Sequence, residues 1–242
     1  PRLTQLELVW STFRADSPTP ELGVLDHLRR FKWLGGDVVP DVRFAFGPAL
    51  EQLDLGPNLR RSCTRGIVRL LGQDRLMLLK LHVAPDNHRT DDATEHELAQ
   101  AVGRNTSLRA LMYKEARQGQ KWLAALRNSP QIQAVSFRKN YFTRPALLGL
   151  LQLLTRRPNY LSKFNLSTAR EIRMPDVTPI LRRTHCVTNL SLRRWMFGRR
   201  AFLRLRDFVQ QCNIIHIHVG AGTVYGRIRS NTHRIQQRYA HA

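Results

Sequence analysis

Apolar residues recur along this chain in one short phrase, apolar-x-x-apolar-x-apolar. It reads Leu50, Leu53, Leu55; Leu76, Leu79, Leu81; Leu108, Leu111, Tyr113; and Ile132, Val135, Phe137. It continues as Leu161, Phe164, Leu166; Val187, Leu190, Leu192; and Ile214, Ile217, Val219. The first members lie 26, 32, 24, 29, 26 and 27 residues apart. Most units carry another apolar residue six positions upstream (Phe44, Leu70, Val102, Leu126, Leu181, Phe208), which slips by one to Leu154 before Leu161. The end of each phrase alternates apolar and other residues, which predicts a short strand with one buried face. Between phrases, apolar residues at 201, 202, 205, 208 and 209 follow the spacing of a half-buried helix. Pro145 opens a second such helix over 146–154, where a missing N–H costs nothing. One strand and one helix cannot bury their own apolar faces. The period therefore predicts stacked units, with a parallel sheet inside and helices outside.

The segments Asn105-Thr-Ser-Leu108-Arg-Ala-Leu111, Ser129 to Phe137 and Cys186-Val187-Thr-Asn-Leu190-Ser-Leu192 carry a family likeness. Over roughly residues 44–219 the chain resembles a leucine-rich-repeat protein, closest to the long ribonuclease-inhibitor type. The resemblance implies an α/β horseshoe of about seven units, with a parallel β-sheet on the concave side and helices on the convex side. That family places Asn or Cys eight residues after the first motif leucine, to bond backbone in the turn. Only Asn58 and Asn140 comply here; Ala84, Ala116, Ala169, Trp195 and Gly222 do not. The expectation is an irregular solenoid whose turns are satisfied by other groups.

The flanks read differently. Leu3, Leu6 and Leu8 match the phrase, but Leu50 follows 47 residues later, with a helix-like Pro20–Trp33 and the turn Gly35-Gly36-Asp37 between. Val39, Val42 and Phe44 match too, only 11 residues before Leu50, so at most one of those two sets joins the regular ladder. Residues 1–43 are read as a capping unit, and 220–242 as a basic tail, helical from Tyr225 onward and ordered against a partner.

Charge adds direction. The chain has 39 Lys and Arg against 18 Asp and Glu, a net +21, which favours a polyanionic partner. Residues 1–100 hold 13 cations and 14 acids, whereas 101–242 hold 26 and 4. Thirty-three of the cations are Arg, whose planar fork pairs with phosphate and stacks on bases, as a GC-rich genome would also produce. No apolar run is long enough to span a membrane.

Candidate chemistry is sparse. Gly220-x-Gly222-x-x-x-Gly226 lacks the acidic residue a dinucleotide loop requires, and reads as a glycine-rich exit. His216 and His218 share a strand face but make only two ligands where zinc takes three or four. Asp86, His88, Asp91, Asp92, Glu95, His96 and Glu97 cluster together, with Asp91, Asp92 and Glu95 read as a helix start. Three cysteines without CxxC spacing make no disulfide framework. No enzyme, cofactor, metal or small-molecule substrate is expected.

The expected site is a basic surface. The residues assigned to RNA are Arg138, Lys139, Arg156, Arg157, Lys163, Arg182, Arg183, Arg193, Arg194, Arg199, Arg200, Arg204, Arg227, Arg229 and Arg234. Arg193 to Arg204 and the tail arginines are expected to have no local acid partner. Residues between the strand leucines (Lys80, His82, Lys114, Asn165) are placed on the concave face, and Tyr141, Phe142, Tyr160, Trp195 and Phe197 beside the cations as stacking surfaces. The expected function is a structural RNA-binding subunit of a large ribonucleoprotein, specifically a mitochondrial ribosome, touching RNA and neighbouring proteins but no membrane. Pro1 is not an initiator, which fits a removed transit peptide and a matrix location. The alternatives are a protein-interaction scaffold (an assembly subunit of a respiratory or ATP-synthase complex, or a substrate adaptor) and a cytoplasmic or nuclear location.

Overall fold

Period-two burial turns each repeated phrase into a strand. In Gln52–Leu55, for example, Leu53 and Leu55 are buried while Gln52 and Asp54 are half-exposed. The computed structural model describes residues 3–9, 27–34, 49–56, 61–82, 92–156, 162–184, 189–211, 216–220, 224–229 and 232–237. The architecture is α/β with mostly parallel strands, in two compact units, Pro1–Ile132 and Gln133–Ala242.

The first unit contains β1 (Gln5–Val9), β2 (Arg30–Leu34), β3 (Gln52–Leu55), α1 (Arg61–Leu71), β4 (Leu78–His82), α2 (Asp92–Arg104), β5 (Ala110–Lys114) and α3 (Gly119–Arg127). Its strands pair in parallel in chain order, β1 to β5. The register aligns Leu6, Phe31, Leu53, Leu79 and Leu111 in one row and Leu8, Trp33, Leu55, Leu81 and Tyr113 in the next. From Phe31 to Leu111 the first row is at most 1% exposed. Helices α1, α2 and α3 pack side by side, and Tyr113 meets Trp122 of α3 with ring centroids 5.1 Å apart. Among the described residues, one sheet face is thus covered and the other open.

The second unit contains β6 (Ala134–Arg138), α4 (Arg144–Arg156), β7 (Lys163–Asn165), β8 (Ile172–Met174), α5 (Thr178–Leu181), β9 (Asn189–Arg193), β10 (Trp195–Phe197), α6 (Arg199–Gln211), β11 (His216–Gly220), β12 (Val224–Arg229) and β13 (Thr232–Gln237). Strands β6, β7, β9 and β11 form a parallel ladder with Val135, Phe164, Leu190 and Ile217 in one row. Strands β8 and β10 make a short parallel pair, and β12 with β13 an antiparallel one. No described helix is long and apolar enough to cross a membrane.

Two sequence expectations are corrected. The helix-like reading of Pro20–Trp33 fails at its described end, where Arg30–Leu34 is a strand. The phrase there is Leu28, Phe31, Trp33, all at most 2% exposed, and it splits the 47-residue gap into 25 and 22. Its aromatic members hid it, and the Arg30-Phe31-Lys32-Trp33 alternation outweighs the helical spacing. Leu3, Leu6 and Leu8 are the set that enters the ladder, through β1; Val39, Val42 and Phe44 lie outside the described residues. The helix expected from Tyr225 is also replaced by strands. β-branched Val224, Ile228, Thr232 and Ile235 favour extended chain, and Gly226 weakens a helix.

Candidate nucleic-acid interface

The carboxyl ends of β6 and β9 carry the same four-residue arrangement. It runs Arg138, Lys139, Asn140, Tyr141 in one and Arg193, Arg194, Trp195, Met196 in the other. In each, the first two cations are exposed, the third residue is buried and the fourth is an exposed large apolar side chain. Lys139 and Arg194 adopt left-handed backbone, with φ of 52° and 69°, as Glu115 does at the end of β5 with 65°. A side chain in that region costs roughly 1–2 kcal/mol, and surrounding structure must impose it.

The imposing structure is visible. Asn140 Nδ2 donates to the carbonyl of Ser167 at 2.8 Å and to that of Phe137 at 3.1 Å, while its Oδ1 accepts from the Phe142 N–H. Trp195, fully buried at the equivalent place, donates its indole N–H to the Leu166 carbonyl at 3.0 Å. Backbone bonds knit the three strand exits together: Asn140 N–H to Ser167, Ala169 N–H to Asn140, Thr168 N–H to Arg193 and Ile172 N–H to Arg194. The Arg194 guanidinium adds a bond to the Ala169 carbonyl. With β7 between them, the two arrangements stand about 9.5 Å apart, twice the strand spacing.

The fold divides the sequence-assigned residues into groups. Arg138, Lys139, Arg193 and Arg194 gather at the carboxyl edge of the ladder, and Arg199 and Arg200 open α6 from the same edge. Lys163 starts β7, Arg156 ends α4, and Arg182 and Arg183 follow α5, so these lie toward the amino edge. Arg227, Arg229 and Arg234 belong to the backbone of β12 and β13, and Arg157 lies outside the described residues. Arg204 departs from expectation because it has an acid partner, Asp176, at 3.1 Å. Against desolvation, bonds from Thr178 and the Arg204 guanidinium hold the Asp176 carboxyl below the ordinary range.

Electrostatics distinguish the two units. Residues 133–242 contain 20 Lys and Arg against three acids, and residues 1–132 contain 19 against 15. Two of those three acids already meet arginines of α6, Asp176 with Arg204 and Asp207 with Arg206 at 2.9 Å, which leaves Glu171. In the first unit the open face runs Glu7, Lys32, Asp54, Lys80 across consecutive strands. There Lys32 pairs with Glu7, and Lys80 with Asp54 at 3.2 Å. Lys80 and Lys114 (paired with Glu115 at 3.6 Å) are therefore partnered, unlike the setting expected for a polyanion contact.

Other expected features find structural roles. Trp195 and Phe142 are buried, Phe142 edge-on to Phe137 at 5.2 Å, so neither offers a stacking face, whereas Tyr141 is 41% exposed. Asn165 turns inward, its Oδ1 accepting from the Ser167 N–H and hydroxyl. Glu95 opens α2 as expected but is 2% exposed. Its Oε1 accepts the N–H groups of Arg117 at 2.9 Å and Gln118 at 3.0 Å and the Trp122 indole at 2.7 Å. It thereby bonds the turn that follows Ala116. Burial raises its carboxyl above the ordinary range, against those donors and with Asp92 adding to the rise. Asp86, His88 and Asp91 lie outside the described residues, and among the described residues no three His, Cys, Asp or Glu form a metal-holding group. Cys186, Cys212, Gly222 and Tyr160 also lie outside them. No protein-family model, curated protein or solved structure matches the chain.

Proposed function

We propose that this chain is a non-catalytic, RNA-binding structural subunit of a large ribonucleoprotein, and that residues 133–242 make the contact. One observation carries the reading. Two equivalent, strained and tightly bonded strand exits present Arg138–Lys139 and Arg193–Arg194 to solvent, in a unit whose few acids are mostly engaged. Two fixed pairs of cations, one strand apart, suit contact with successive phosphates of one backbone. The mitochondrial ribosome is the specific assignment, on the class resemblance of Arg-rich ribosomal subunits with basic ends. The in-register parallel strands of each unit and the side-chain bonding of the turns support an irregular leucine-rich-repeat solenoid. A protein-interaction scaffold is the second reading, favoured by the charge-balanced open face of residues 1–132.

Fluorescence anisotropy with an unstructured RNA, repeated over a salt series, tests the proposal. Replacing Arg138, Lys139, Arg193 and Arg194 by Ala is expected to flatten the log–log salt slope by about 3, at roughly 0.7 per single-strand phosphate released. The melting temperature of the variant is followed in parallel, because Arg side chains also cover apolar surface. A salt-insensitive wild type, or a quadruple variant with an unchanged slope, assigns the chain to protein scaffolding. Co-sedimentation of the endogenous protein with ribosomal subunits, lost after nuclease treatment, is the expected result in cells.

A further inference from the structure

We infer that the carboxyl edge of the 133–242 unit is built for single-stranded RNA, with Tyr141 as a base-stacking platform and Met196 as a second apolar contact. This rests on the RNA-binding reading above and narrows the class of RNA. Around the exit of β6, burial alternates: Asn140 and Phe142 point inward, while Lys139, Tyr141 and Thr143 point outward. The two inward residues are fixed, Asn140 by three hydrogen bonds and Phe142 against the Phe137 ring. Tyr141 is therefore held on a rigid turn, 41% exposed, with Arg138 and Lys139 before it and the exposed Arg144 after it. An aromatic ring kept partly in water beside cations matches a nucleotide, whose phosphate and base face need one of each. Because its turn is already ordered, little conformational freedom is lost on contact.

The β9 exit repeats the arrangement. Met196 is 40% exposed, Arg193 and Arg194 precede it, and buried Trp195 fixes the turn through its bond to Leu166. A paired helix offers its phosphates but keeps its base faces stacked inside, so it would leave both apolar groups unused. Two copies of the arrangement, separated by one strand, offer two contact points along one unpaired chain.

The experiment compares the full chain with an oligouridylate, an oligoadenylate and an RNA duplex of equal length. The single strands are expected to bind at least tenfold more tightly. Tyr141→Ala should weaken single-strand binding about 5- to 150-fold, the range for losing one base–aromatic stack, while duplex binding and the salt slope stay the same. Tyr141→Phe should retain binding, and Met196→Ala should weaken it less. If Tyr141→Ala binds single strands as wild type does, or the duplex is preferred, the stacking inference fails while RNA binding through the cations stands. If wild type binds no RNA, both readings fall.

Discussion

Replacing Trp195 with alanine is expected to destabilise the 133–242 unit by about 3–5 kcal/mol, the range for removing a buried aromatic side chain. The indole is fully buried, its N–H bonds the Leu166 carbonyl, and its strand pairs with β8 at Ile172. The loss therefore combines a cavity with an unsatisfied carbonyl at the seam joining the β7 and β9 exits. Hydrogen exchange should report it as lost protection in peptides covering 163–174 and 189–211, and urea unfolding as a lower midpoint. RNA affinity should fall more than the folded fraction accounts for, because Arg193, Arg194 and Met196 hang on this residue. Unchanged protection in these peptides would remove Trp195 from the role assigned to it.

Glu95→Ala should be comparably damaging to the 1–132 unit, at about 3–5 kcal/mol, since each donor left dry costs on the order of 1–3 kcal/mol. Three donors lose their acceptor at once: the N–H groups of Arg117 and Gln118 and the Trp122 indole. The group also carries a pH signature. Burial raises its folded carboxyl above the ordinary 4.5, so the native state binds the proton more tightly than the unfolded chain. Its contribution is then fully present below about pH 4.5 and is lost as pH rises through the raised value. Denaturation across that window should show the wild-type advantage over Glu95→Gln shrinking as pH rises. An advantage that grows with pH would mean that the three donors outweigh burial.

What could be read from the amino acids was the period. Leu53, Leu79 and Leu111 in one unit and Val135, Phe164 and Leu190 in the other occupy equivalent rows because alternation by two leaves a strand one way to bury itself. Phe31 and Trp33 are less legible because they fill leucine positions with aromatic bulk. The turns were less legible, because their bonds reach across units of the repeat. Asn105 donates to Leu71 and Ser129 to Val102, which satisfies carbonyls of the preceding helices from over twenty residues away. Trp195 looked like a surface ring when judged by its charged neighbours. Its place eight residues after Val187, the position of Asn140 in its own unit, was the signal that it points inward. The Arg204–Asp176 pair was hidden for the same reason: its partners are 28 residues apart.

The left-handed residues at the strand exits have a consequence for how this surface can change by mutation. Glycine is the least strained occupant of such a position, so Lys139→Gly should leave the fold as stable or stabilise it by up to about 1 kcal/mol. Under the RNA-binding proposal the same replacement should also lower the salt slope by about 0.7, the value for one lost single-strand phosphate contact. Thermal stability and recognition are thereby set against each other at a single backbone torsion. A Lys139→Gly chain that melts higher and binds RNA less would display that trade-off directly.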